Sequence, residues 1–167
     1  ASDTGENKTI PHIIHYAWFG PKKPKLILEC IESWKKHLPE YEIKEWNEHN
    51  VNLSQYPFAD RMYKSKKFAF VSDYIRLVKL YEEGGVYLDT DMMIVKSITP
   101  LLKCNLLLGE EEDGVISAGM IGSVPHHPFI AQAKSYYEKD NAPLVTIPVA
   151  LTRAFKDLDS KEGVTVL

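Results

Sequence analysis

Only two cysteines, Cys30 and Cys104, occur among the 167 residues. Two thiols allow one bridge at most, which excludes a small scaffold stapled by several disulfides. Both sit among apolar neighbours, Leu28 and Ile31 in one case, Leu102 and Leu106 in the other. Buried free thiols in a reducing compartment are the expectation. No apolar run approaches the roughly 20 residues that cross a bilayer, so no transmembrane segment is expected. Residues 1–9 are polar and acidic, with no apolar stretch of the kind a secretory leader carries, and read as a disordered tail. The corresponding location is cytoplasmic, at the inner face of the membrane if a membrane is involved. A basic excess is also missing: 20 Lys and Arg stand against 23 Asp and Glu, a net charge of -3. That argues against a nucleic-acid partner. Lysines do cluster at Lys22, Lys23 and Lys25 and again at Lys64, Lys66 and Lys67. A solvated surface is the first reading of these clusters, and peripheral contact with an anionic membrane the second. Neither repeats nor low-complexity linkers interrupt residues 10–167, which read as one domain.

What is present is an alternation of short apolar strands with amphipathic helices. His12 to Phe19 is a continuous apolar run closed by Gly20-Pro21, a buried strand. Pro24 opens a helix on which Ile27, Cys30, Ile31, Trp34 and Leu38 share one face, and Pro39 stops it. Tyr41 to Trp46 makes a second strand, so the first third is β-α-β, the opening of a parallel α/β sheet. A short helix is expected over Phe58 to Ser65 and a stronger one over Lys67 to Glu83, ended by Gly84-Gly85 in a left-handed conformation. Val86 to Leu88 follows as a buried strand, and Met93 to Val95 is expected to continue extended. Leu106 to Gly109 and Val115 to Gly122 are strands around an acidic turn at Glu110 to Gly114. Pro128 to Lys139 and Pro148 to Leu158 are helices with proline at or near the first position. Val164 to Leu167 reads as a last strand.

Two constellations carry chemistry. Asp89 and Asp91 stand at i and i+2, which on an extended backbone face the same side. Two carboxylates so close repel unless a cation neutralises them. Hard divalent ions such as Mg²⁺ and Mn²⁺ take carboxylate oxygens and fill their remaining positions with water and substrate phosphates. The pair therefore reads as a metal clamp for a diphosphate. Asp157-Leu158-Asp159 repeats the pattern in a polar, helix-ending stretch and reads as solvated surface. The first copy differs by following a helix, two glycines and an apolar strand. Within that helix, Asp73 and Arg76 at i, i+3 share a face with apolar neighbours. They read either as a local ion pair or as a carboxylate and guanidinium for sugar and phosphate oxygens. His15, His126 and His127 have no partner at metal-ligand spacing and read as structural or surface residues.

Taken together, Ser72-Asp73-x-x-Arg76 and Gly84-Gly85-Val86-Tyr87-Leu88-Asp89-Thr90-Asp91 resemble the sugar-binding region of glycosyltransferase family 32. That family includes bacterial capsule and surface-polysaccharide transferases and is similar to the catalytic domain of the large clostridial glucosylating toxins. The resemblance extends to the opening Ile10-Pro11-His12-Ile13-Ile14-His15-Tyr16-Ala17-Trp18-Phe19-Gly20, to Ser33-Trp34, and to Ile121-Gly122 through His127-Pro128-Phe129. It implies an A-type, Rossmann-like nucleotide-diphospho-sugar transferase fold, a UDP-sugar or related donor, a Mn²⁺ or Mg²⁺ cofactor and retention of anomeric configuration. The acceptor it implies is a polysaccharide or lipid-linked glycan. Carried over by residue, Trp18 stacks on the nucleobase. Tyr16, Asp73, Arg76, Tyr87 and Asp89 line the nucleotide-sugar site, with Asp73 and Arg76 at the reacting sugar. Asp89 reaches the metal through water and Asp91 ligates it directly. Ala118 departs from the family, standing where a polar residue facing sugar or acceptor is expected. The family pattern also continues, beyond the point where this sequence stops, into a segment with His and Trp that completes the metal site. Two other classes remain open from the residues alone. A haloacid-dehalogenase-type phosphatase also sets Asp-x-Asp after an apolar strand, but Met93 stands where it wants Thr or Val. A carbohydrate- or partner-binding domain with a vestigial site is the non-enzymatic alternative.

Overall fold

A computed structural model describes residues 9–111, 114–139 and 144–167. Among the described residues, six strands form one mixed sheet in the order β2-β1-β3-β5-β4-β6. Strand β1 (Ile13–Ala17) leads through helix α1 (Lys25–His37) to β2 (Glu42–Trp46), which pairs parallel with it. Pro24 precedes the helix, and Ile27, Cys30, Ile31, Trp34 and Leu38 are buried, as the 3.6-residue period requires. Helix α2 (Pro57–Lys64) and helix α3 (Phe68–Glu83) then bring the chain to β3 (Gly85–Leu88), parallel to β1 on its other side. The sheet changes character at β3. Its other neighbour is β5 (Ile116–Ser123), which runs antiparallel to both β3 and β4 (Leu106–Glu110). Helices α4 (Pro128–Glu138) and α5 (Ile147–Lys156) follow, and β6 (Val164–Val166) adds to the edge, parallel to β4.

Side-chain alternation divides the core between the two faces of the sheet. Val86, Leu88 and Leu107 face a cluster built with Ile27, Ile31 and Trp34 of α1. Tyr87, Leu106 and Leu108 face the other way, into a cluster with residues of α2, α3, α4 and α5. Both thiols are free and buried, Cys30 on the inner face of α1 and Cys104 ahead of β4. Among the described residues no helix is long and apolar enough to cross a membrane.

Three expectations need correction. Met93 to Val95 is not a strand. The chain has left the sheet there, and its backbone is held instead by α1: Ser33 Oγ accepts from the Ile94 N–H at 3.0 Å, and Trp34 Nε1 donates to the Met92 carbonyl at 2.7 Å. Parallel pairing does not extend through the sheet, because β5 returns antiparallel beside β3. Gly84 ends α3 with φ 69° and ψ -178°, not in the left-handed helical region. That conformation is open essentially to glycine alone. A Cβ on Gly84 would come within 2.7 Å of Pro125 Cδ, and one on Gly85 within 2.7 Å of the Ile13 carbonyl oxygen. The two glycines thus let α3 turn at once into β3. Of the acidic turn at Glu110 to Gly114, residues 112 and 113 lie outside the described residues, as do residues 1–8 of the expected tail.

Candidate donor site

Helix α3 and strand β3 meet at a buried arginine. Arg76 is 5% exposed and sits in the lower half of the helix, where its guanidinium lies 4.2 Å from the centre of the Tyr87 ring. Arginine has five N–H donors, all in one plane. Each has a protein acceptor. Nε donates to the Ser72 carbonyl at 3.4 Å. One terminal nitrogen donates to Asp89 Oδ1 at 3.3 Å and to the Ala118 carbonyl at 3.0 Å. The other donates to Ser72 Oγ at 3.2 Å and to Asp73 Oδ1 at 3.3 Å. The guanidinium therefore ties α3, the end of β3 and the middle of β5 together.

The two carboxylates it bridges differ. Asp73 is buried and also accepts from the Ile147 backbone N–H at the start of α5. Burial pushes its carboxyl up to about 6; Arg76 opposes that rise and Asp89 adds to it. Asp89 is half-exposed at the mouth of the site. Its carboxyl is also raised, first by desolvation and then by the neighbouring charge of Asp91, against the pull of Arg76. The repulsion inferred from the bare spacing is thus present, but its geometry is different. Asp89 to Met92 is a turn, closed by the Met92 N–H donating to the Asp89 carbonyl at 3.1 Å. Asp91 is exposed on that turn and does not sit two residues along a strand from Asp89. The strand logic fails because pairing to β5 stops at Leu88–Met120, and only the Asp89 N–H reaches on, to the Gly119 carbonyl.

Beside this turn is a cavity of about 320 Å³ lined by Trp18, Pro21, Phe68, Ser72, Tyr87, Asp89 and Thr90, among others. Trp18 is partly exposed there, at the end of β1. Phe68 closes against Gly20, whose φ is 94° and whose Cβ, if it had one, would lie 2.6 Å from the Phe68 ring. On the β5 side, the lack of a side chain at Gly119 lets Met92 and Asp89 pack close: a Cβ there would lie 3.1 Å from Met92 Cε and 3.5 Å from Asp89 Oδ2. Ser117 Oγ accepts from the Gly119 N–H at 3.2 Å.

The structure therefore brings Trp18, Asp73, Arg76, Tyr87 and Asp89 into one site, with Asp91 on the adjoining turn. Tyr16 stands apart. It is buried against Trp34 with its hydroxyl donating to Glu45 Oε1 at 2.7 Å, and it does not line the cavity. Tyr16 and Trp18 are two residues apart, but β1 ends between them at Ala17, so strand alternation does not carry one to the other. Ala118 contributes its carbonyl to Arg76 while its side chain packs into the core. Ser72, Gly119 and the Ile147 N–H are site groups that sequence reading leaves unassigned. Ser72 stands inside the quoted motif; the other two arrive through β5 and α5, which no local pattern ties to Asp73.

The histidines are structural. His15 accepts from Trp46 Nε1 at its Nδ1, so Nε2 carries the proton and donates to the Gly84 carbonyl at 2.8 Å. Burial keeps its pKa low. His127 caps α4, its Nδ1 accepting from the Phe129 N–H at 3.0 Å. His126, at φ 63°, packs edge-on against Tyr81. Among the described residues no group of three or more His, Cys, Asp and Glu forms a ready metal cage. Asp89 and Asp91 fit instead an ion that keeps several waters and takes substrate phosphates, as Mg²⁺ does. Asp89 Oδ1 is engaged by Arg76, whereas Oδ2 faces the bare backbone of Gly119. A larger cavity of about 940 Å³ lies between α2, α3 and α4, lined by Tyr56, Tyr74, Tyr81 and Arg61, on the face of α3 turned away from Arg76. It contains none of the motif residues.

A mixed sheet of this kind, with two aspartates just beyond the end of a central strand and an aromatic cavity beside them, has the architecture of the A-type glycosyltransferase fold. The family described as "Glycosyltransferase sugar-binding region containing DXD motif" matches residues 24–111, and the chain belongs to that family. Curated relatives include inositol phosphoceramide mannosyltransferase 1 of Schizosaccharomyces pombe. It is 30% identical, over 84% of this chain and 46% of its own length. Mannosyl phosphorylinositol ceramide synthase CSH1 of Saccharomyces cerevisiae is 27% identical, over 83% of this chain and 39% of that protein. The chain thus spans less than half of either relative. Among solved structures, the PaToxG glycosyltransferase superposes with a TM-score of 0.71 at 21% identity, over 90% of this chain and 70% of that one, a likeness of fold.

Proposed function

We propose that this chain forms the donor-binding part of a metal-dependent, retaining glycosyltransferase. The donor is a nucleoside-diphosphate hexose or N-acetylhexosamine, in the first instance a UDP-sugar. The acceptor is a hydroxyl of a polysaccharide or a lipid-linked glycan. The observation that carries this reading is the Asp73–Arg76–Asp89 bridge beside the cavity that Trp18 lines. The names of the fungal relatives favour a mannosyl donor and a lipid acceptor as a second reading.

In this reading Trp18 offers its exposed ring face to the nucleobase. Asp73, ionised, accepts from a sugar hydroxyl. Asp89 and Asp91 would hold a divalent ion, which would supply positive charge to neutralise a leaving diphosphate. The anomeric C–O bond to phosphate breaks, and a bond from the acceptor oxygen forms on the same face. The acceptor proton passes to the leaving phosphate oxygen. Fixed groups that meet charge as it develops cost no reorganisation at that moment.

A thermal-shift panel of UDP-, GDP- and CDP-hexoses, each with and without Mn²⁺, tests this. A ligand at 100 times its Kd stabilises by about 2.7 kcal/mol. We expect a shift from at least one nucleotide sugar that requires the metal. No shift with any of them would refute the reading, and a shift confined to GDP-mannose would select the second donor.

A further inference from the structure

The two lysine clusters stand far apart in the sequence, and a solvated surface is the ordinary use of such residues. The fold brings them to one place. Strand β1 ends at Ala17 and α1 begins at Lys25, so residues 18–24 lie at the edge of the sheet where β1 and β3 end. Helix α3 begins at the same edge, because the chain turns at Gly84 and runs back along β3; Lys67 stands immediately before its first residue, Phe68. The two segments touch. A Cβ on Gly20 would lie 2.6 Å from the Phe68 ring, and Pro21 and Phe68 both line the donor cavity. Lys22 and Lys25 thus flank one side of the cavity mouth, and Lys66 and Lys67 the other. We propose that this rim is a docking surface for an anionic lipid bilayer, with these four lysines at the headgroups and Leu26 and Met93 entering the interface.

The charge is uncommitted. Lys23 pairs with Glu45 at 2.7 Å and Lys64 with Asp60 at 3.0 Å. Among the described residues, Lys22, Lys25, Lys66 and Lys67 are exposed and make no ion pair. Glu48 is half-buried and accepts from the Gly20 N–H at 3.4 Å. Glu29 remains one turn along α1, and Asp89 and Asp91 lie in the mouth itself, where a divalent ion would offset them. Two of the lysines also stand where a helix disfavours them. Lys25 is the first residue of α1 and Lys67 the N-cap of α3, and neither first turn holds an acid. Helix stability alone would place acids there, against the positive end of the dipole. Here that end adds to the lysines instead.

Apolar side chains accompany the charge. Leu26 is 60% exposed and Met93 54%. Leu26 and Ser33 share one stripe of α1, and Ser33 Oγ holds the Ile94 N–H, so the segment bearing Met93 runs along that stripe. A soluble polyanion needs only the cations. Large apolar side chains left in water beside lysines suit a surface where headgroups give way to hydrocarbon. Lysine stems can lie along such a boundary with their ammonium groups in the headgroup layer. A bilayer seated here would lie across the cavity mouth and present a membrane-borne acceptor to it; that consequence, unlike the surface itself, rests on the donor-site reading.

Co-sedimentation with vesicles tests the surface without nucleotide or metal. Wild type should sediment with mixed phosphatidylglycerol and phosphatidylcholine vesicles, less so as salt is added, and not with phosphatidylcholine alone. A lysine close to an anionic surface changes binding about fivefold. The quadruple variant K22Q/K25Q/K66Q/K67Q should therefore lose at least about tenfold in affinity. The control K36Q/K103Q/K139Q/K156Q removes the same charge from exposed lysines elsewhere and should lose less than about twofold. L26S/M93S should weaken binding to vesicles and leave binding to heparin, a soluble polyanion, unchanged. The melting temperature of the quadruple variant should be equal or higher, since two lysines leave helix starts. The double variant K22Q/K66Q, outside both helices, gives the same reading if the quadruple variant fails to fold. No sedimentation of wild type overturns the proposal, as do equal losses in the rim and control variants. Vesicle binding that survives L26S/M93S overturns it in favour of a soluble polyanion. Because none of these measurements involves a donor, their failure leaves the donor-site reading standing, and failure of the nucleotide-sugar panel leaves the docking surface standing.

Discussion

The indole N–H of Trp34 donates to the carbonyl of Met92 at 2.7 Å. A fully buried core residue thereby holds the segment that leaves Asp91. One residue earlier, Ser33 Oγ accepts from the Ile94 N–H. The helix after the first strand thus sets the path of the chain beyond the paired aspartates, on the far side of the sheet from Arg76. The substitution W34F keeps most of the packing and deletes only the bond. An acceptor left unpaired costs about 1–3 kcal/mol. We expect a loss of about that size in chemical denaturation, together with weaker manganese binding in the folded protein. Unchanged metal affinity would show that the anchor serves the core alone.

The sequence contains its own control for the metal pair. Asp91 and Asp159 are both exposed and both end an Asp-x-Asp. Only Asp91 faces a second carboxylate whose proton affinity it raises. D91N should abolish manganese-dependent donor binding in calorimetric titration. D159N should leave binding intact and alter stability by no more than about 0.5 kcal/mol. Equal damage from the two would mean that the motif as a string, and not its setting, governs binding.

Trp18 lines the cavity with its ring partly exposed. Stacking of a base on an aromatic ring contributes about 1–3 kcal/mol. W18A should therefore weaken nucleotide affinity by roughly 5- to 150-fold. W18F should retain most of it. Equal affinities for wild type and W18A, measured with the free nucleoside diphosphate, would remove Trp18 from the site.

Burial pushes the Asp73 carboxyl up to about 6. If it accepts from a sugar hydroxyl, it must be ionised. We expect kcat/KM to fall about tenfold per pH unit below that value. Stability runs the other way. A carboxyl with a folded pKa above its ordinary value near 3.8 binds its proton more tightly in the folded state. Its contribution is full below about 3.8 and is lost as pH rises through about 6. A pH–rate profile that stays flat down to pH 5 would exclude Asp73 from this role.

Much of the arrangement was legible before any coordinates. The apolar face of α1, the glycine pair after α3 and the strand into Asp89 all follow from local periodicity and turn chemistry. Asp73 and Arg76 do point at Asp89, because the helix must fold back at Gly84. The misses have a common cause. The turn at Asp89 to Met92 is fixed by where β5 stops pairing, and the displacement of Tyr16 by where β1 ends. The contacts from Ala118, Gly119 and Ile147 come from β5 and α5, 29 residues or more along the chain from Asp89. One sequence holds no local signal for them. Saturation of Arg76 is of the same kind, since counting its acceptors requires all three elements at once.

Strand β3 is bonded to a parallel neighbour on one edge and an antiparallel neighbour on the other. Under the proposed function, a donor in the cavity would lie across that seam, its base against Trp18 at the end of β1 and its sugar toward Asp73 and Asp89. Its two ends would then be held by separate stretches of chain, and a substitution at one end would leave the contacts of the other in place.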